Sequence, residues 1–99
     1  MAPEIIAGIE TSRLLDLLKN QPIKKAYIFG SYARGEDTPS SDIDILIEVE
    51  KGTDLFRFIK IKYKLEELFH KTVDLVSANG ISKRLKPIID SEKILVYEK

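Results

Sequence analysis

Apolar residues fall along the chain in short blocks that alternate between helical and strand periodicity. Over residues 4–20, Ile5, Ile6, Ile9, Leu14, Leu17 and Leu18 recur at roughly helical spacing, which predicts one helix or two short ones. Thr11 and Ser12 suit the cap of a second helix starting near Arg13, and Pro22 closes it, because a proline disfavours helix in the residue before it. Ala26-Tyr27-Ile28-Phe29 marks a buried strand over about residues 24–29, followed by a short helix from about Ser31. A second strand is expected over residues 42–50, with Ile43, Ile45, Ile47 and Val49 on one face and Asp42 and Asp44 on the other. The isoleucine side then needs a helix layer. That layer is expected from a long helix over about residues 53–70, whose stripe of Leu55, Phe58, Ile61, Leu65 and Leu68 repeats every three or four positions.

Phe56, Ile59 and Tyr63 fall on a flank of the same helix and read either as a rim of the core or as a contact surface for another subunit. Lys60, Lys62 and Lys64 read as solvated helix charges, and His70 as a solvent-facing residue at the helix end. Residues 72–77 form a third strand, in which Val73 and Leu75 point to the helices. Asp74 then lies on the side of Asp42 and Asp44, provided that the second and third strands pair. A helix over residues 82–91, capped by Ser82 and kinked or broken at Pro87, precedes a last short strand at residues 94–97. The sum is an α+β domain: a small mixed sheet of about four strands with helices mainly on one face.

The chain of 99 residues is expected to form one domain over 1–99, with little room for a separate substrate-binding lobe. Either the substrate is a macromolecule that brings its own surface, or a second subunit supplies the missing walls; self-association is left open. Sixteen basic and sixteen acidic side chains balance, which argues against a protein that wraps nucleic acid. With no cysteine, neither a disulfide framework nor a cysteine-ligated zinc site can form. The first residues lack the basic and long apolar regions of a signal peptide, and no stretch approaches the ~20 apolar residues of a membrane span, so a cytoplasmic protein is expected.

The chemistry concentrates between Gly30 and Ile47. Gly30 allows a sharp turn and close approach to a ligand, and Ser31 suits an N-cap from which free N–H groups would meet a phosphate. Gly35 and Thr38-Pro39-Ser40-Ser41 break the chain before the second strand. Asp42 and Asp44, two apart on a strand, stand together, and such a pair repels unless a cation lies between them. Hard oxygen ligands beside a phosphate-ready turn suit Mg²⁺ and nucleoside triphosphate chemistry.

The sequence Gly30-Ser31-Tyr32-Ala33-Arg34-Gly35, followed by Ser41-Asp42-Ile43-Asp44 and further apolar residues, resembles the nucleotidyltransferases of the DNA polymerase β superfamily. The small size resembles the minimal nucleotidyltransferases, which occur in prokaryotes as antitoxins paired with HEPN-domain toxins. The motif spans residues 30–47 and the resemblance covers 12–97. It implies a polymerase β-type fold and Mg²⁺-dependent transfer of AMP from ATP to a tyrosine hydroxyl of a HEPN toxin. By the same resemblance Asp42, Asp44 and Asp74 are the catalytic carboxylates and the ligands of two Mg²⁺ ions, and Gly30 and Ser31 hold the terminal phosphates. Arg34 either pairs with phosphate or makes a structural salt bridge. Two other readings stay open: an antitoxin that neutralises by binding alone, and nucleotidyl transfer to a small molecule or an RNA end.

Overall fold

A computed structural model describes residues 11–99. Helix α1 (Thr11–Lys19) leads into strand β1 (Ile23–Phe29), the single-turn helix α2 (Ser31–Arg34) and strand β2 (Ile43–Val49). Helix α3 (Leu55–Phe69), strand β3 (Val73–Ser77), a 3₁₀ turn (Ala78–Gly80), helix α4 (Lys86–Glu92) and strand β4 (Ile94–Glu98) complete the order. The expected helical residues before Thr11 lie outside the described residues.

The four strands form one mixed sheet in the order β3-β2-β1-β4. Strand β1 pairs antiparallel with β2 and β4, whereas β2 and β3 run parallel. On one face, Ala26 and Ile28 of β1, Ile43, Ile45 and Ile47 of β2 and Val73 of β3 bury against Leu14 and Leu18 of α1 and Ile61, Leu65 and Phe69 of α3. This is the helix-covered side that the isoleucine alternation predicts. The other face carries a smaller cluster, Phe29, Leu46 and Ile89, through which α4 rests on the sheet.

The sheet fixes the site through register. In β1 and β2, Phe29 is the partner of Asp44 and Ile28 that of Ile45. In β2 and β3, Asp44 is the partner of Asp74. Residues in register on neighbouring strands share a face, so Asp44 and Asp74 stand together opposite the main core.

Several boundaries differ from the sequence expectation, each for a local reason. Strand β2 begins at Ile43, so Asp42 precedes the strand instead of starting it. In α3 the buried stripe is Ile61, Leu65 and Phe69, spaced four apart, while Leu55 in the first turn is 69% exposed. Asp54 caps that helix by accepting from Arg57 N–H at 2.8 Å, and His70 ends it in a left-handed conformation with φ 55°. Helix α4 starts at Lys86: Ser82 instead accepts from Leu85 N–H in the turn before it. Pro87 therefore sits in the first helical turn, where its missing N–H is harmless, and no kink is needed.

Phe56 and Tyr63 are 78% and 61% exposed, so they are not a rim of the core. Replacing Leu65, fully buried, with Ala is expected to lower unfolding free energy by about 2–5 kcal/mol. Phe56→Ala should change it by no more than about 0.5 kcal/mol. Urea denaturation of the two variants checks the contrast.

Candidate active site

The turn after β1 is built around Gly30, whose φ of 73° and ψ of −153° belong to a region that residues with a Cβ rarely enter. Gly30 is also the N-cap of α2, so Ser31 is the first helical residue and not the cap expected from sequence. A Cβ on Gly30 would collide with the Asp44 carboxylate, lying 2.9 Å from its Cγ. The absent side chain is what lets the carboxylate of β2 lie against the end of β1.

Asp44 is half-buried and faces Asp74 across the parallel pair. Burial pushes its carboxyl up to about 6, and the like charges of Asp74, Asp42 and Glu92 push in the same direction. Asp42 and Asp74 are exposed at the rim. Among the described residues no three acidic or histidine side chains form a closed metal cage. The arrangement is a close pair, Asp44 and Asp74, with Asp42 adding charge where β2 begins. The donor set nevertheless fits a hard divalent cation: it offers carboxylate oxygens only, crowded enough to resist simultaneous ionisation.

Two residues that sequence reasoning passed over shape the site. Lys71 donates to the carbonyls of Pro39 at 2.7 Å and Ser41 at 3.2 Å, pinning the loop that delivers Asp42. Its ammonium also stands 5.9 Å from the Tyr32 ring centroid. Glu92, at the end of α4, accepts from Gly30 N–H and from Arg34 Nη1, both at 2.9 Å. Arg34 further donates through Nε to Glu36 at 2.9 Å. Of its two sequence-based readings, the geometry displays the salt bridge, since two carboxylates occupy the guanidinium. Only the spacing of a lone Glu before the last strand marked Glu92 in sequence, and that is no signal by itself.

Beside the carboxylates, Phe29, Val76, Ile81, Leu85 and Ile88 line an apolar cavity of about 420 Å³ that Gly30, Asp44, Asp74 and Glu92 also border. A larger, polar cleft of about 710 Å³ lies at the opposite end of β2, between the end of α1 and the start of α3, away from all the predicted site residues.

Because the folded protein favours the protonated form of Asp44, ionising it opposes folding: the penalty is absent well below the ordinary carboxylate value of 3.8, still small near pH 4, and fully present above about pH 6. Asp44→Asn should therefore raise unfolding free energy at pH 8 by about 1–2 kcal/mol, discounted for partial exposure, with little change at pH 4. Gly30→Ala should do the opposite at every pH, losing about 2–3 kcal/mol through strain and displacement of Asp44. Chemical denaturation at the two pH values measures both.

Comparison with known proteins places this geometry. The profile of the family "Polymerase beta, Nucleotidyltransferase" matches residues 13–99. The Methanocaldococcus jannaschii protein MJ0435, which carries a provisional protein adenylyltransferase name, is 42% identical over 82 residues, 83% of this chain and 88% of its own. The protein adenylyltransferase MntA of Thermococcus cleftensis is 32% identical over 93 residues, 94% of each chain. Among solved structures, a chain of a toxin–antitoxin crystal structure with AMP-PNP superimposes with a TM-score of 0.79 at 24% identity, over 92% of this chain and 75% of that one. A chain of the complex between a tri-AMPylated Shewanella oneidensis HEPN toxin and its MNT antitoxin gives 0.69 at 22% identity, over 90% and 70%. Those two likenesses speak to the fold, and the sequence matches speak to descent. With a family match over nearly its whole length, the chain belongs to the polymerase β nucleotidyltransferase family and is a nucleotidyltransferase.

Proposed function

We propose that the protein is an antitoxin that transfers AMP from ATP to a tyrosine hydroxyl of a HEPN-domain toxin, in a Mg²⁺-dependent reaction. The observation that carries this reading is the register pair Asp44 and Asp74, set beside the turn at Gly30. Support for the donor and the acceptor comes from relatives: a protein adenylyltransferase by name, and the same fold in toxin–antitoxin structures with AMP-PNP or an AMPylated toxin.

In this reaction the tyrosine oxygen bonds to the α-phosphorus, the bond to the pyrophosphate oxygen breaks, and pyrophosphate leaves in line. Asp42, Asp44 and Asp74 would hold Mg²⁺, which when bound neutralises phosphate charge and helps to activate the nucleophile. In this reading a carboxylate oxygen of Asp74, which is exposed on the edge strand, takes the tyrosine proton. The triphosphate tail lies along the turn at Gly30 and Ser31. Gly30 N–H is engaged by Glu92, so the donors left there are the Ser31 hydroxyl and the N–H groups of Ser31, Tyr32 and Ala33. Gly30 thus serves by admitting Asp44, and Ser31 by holding phosphate. The exposed Phe56 and Tyr63 give the toxin an apolar surface on α3.

Incubation with α-labelled ATP, Mg²⁺ and the toxin encoded beside this gene should label the toxin on tyrosine. Asp44→Asn and Asp74→Asn should reduce labelling by at least about a hundredfold while the proteins stay folded. No labelling by the parent protein, or full neutralisation of the toxin by both variants, would leave an antitoxin that acts by contact alone.

A further inference from the structure

Helix α4 covers part of the second sheet face through Ile89, but its last residue does something packing does not require. The Glu92 side chain, only 15% exposed, reaches back across 62 residues of sequence to Gly30 and grips both ends of α2. One carboxylate oxygen accepts from the Gly30 N–H, where the turn begins, and the other from the Arg34 guanidinium, where it ends. A backbone bond from Arg34 N–H to the Gly30 carbonyl, at 3.1 Å, joins the same two residues. Glu92 therefore clamps the whole turn from outside it.

We propose that Glu92 is a positioning residue for the nucleotide: it fixes the Gly30–Arg34 turn in the conformation that receives the triphosphate, without itself touching substrate. The proposal rests on the nucleotidyl-transfer reading above. A four-residue helix is too short to hold its own shape, and the Gly30 backbone sits where its surroundings must over-determine it. Glu92 provides that constraint. It also directs which donors face a ligand, because engaging Gly30 N–H and Arg34 leaves Ser31, Tyr32 and Ala33 as the turn's free donors among the described residues. A carboxylate beside Asp44 adds like charge, a poor choice for mere packing, and Arg34 offsets it.

The test combines AMP-PNP binding with Mg²⁺, by titration calorimetry, and amide hydrogen exchange at Gly30 in the free protein. Glu92→Ala should weaken AMP-PNP binding about thirtyfold and hasten Gly30 exchange. Glu92→Gln keeps an acceptor for the Gly30 N–H and should stay within about fivefold of the parent. Asp90→Asn, on the same helix, removes only the ion pairs to Lys86 and Lys93 and should leave both readouts unchanged. If Glu92→Ala does not fold, Glu92→Met, of similar length but without a carboxylate, gives the same comparison. Binding by Ala or Met as tight as the parent's, or a loss in Gln equal to that in Ala, overturns the role. A parent protein that binds no AMP-PNP, in which Glu92→Ala still quickens Gly30 exchange, would sink the nucleotide reading and leave the clamp standing.

Discussion

The Asp44 carboxylate lies against the Cα of Gly30, at a distance that admits a hydrogen atom and nothing larger. Much of the molecule serves this contact. Register between β1 and β2 sets Asp44 beside Phe29, one residue before the glycine. The isoleucines that alternate with it anchor β2 in the main core, and the positive φ at Gly30 turns the chain away immediately afterwards. The turn at Gly30 and the carboxylates are adjacent because these two strands are antiparallel neighbours, with no domain closure required.

The same contact creates the electrostatic burden of the site. Burial and three neighbouring carboxylates oppose ionisation of Asp44, so in the free protein the carboxylate at the centre of the candidate site is a source of instability. The core compensates: no polar or charged residue is buried among the described residues, and the isoleucine face packs against the apolar stripes of α1 and α3. Function and stability are thus separated onto the two faces of one sheet.

Much of this was legible in the sequence, and the parts that were not share a cause. Strict alternation over Ile43, Asp44, Ile45 and Ile47 revealed both the strand and its two faces, and the Gly-Ser turn next to the acidic pair pointed to the candidate site. The stripe of α3 lost Leu55 at its start and gained Phe69 at its end, because periodicity fixes a helix's azimuth but not where along its length the sheet ends. Placing the carboxylates of Asp42 and Asp74 together as one trio depended on strand pairing, which local pattern does not contain. Glu92 and Lys71 were missed outright. Each acts on backbone groups more than 29 residues away in sequence, and nothing in its immediate neighbours announces that.

Parallel pairing of β2 with β3 has a further bearing. The spacing of Asp44 and Asp74 is the spacing between adjacent strands, about 4.8 Å, set by the backbone ladder and by no loop. The spacing of this carboxylate pair is therefore as durable as the ladder itself. Changes in the loops around the site leave that one spacing untouched, and heating that melts the sheet abolishes it in the same event.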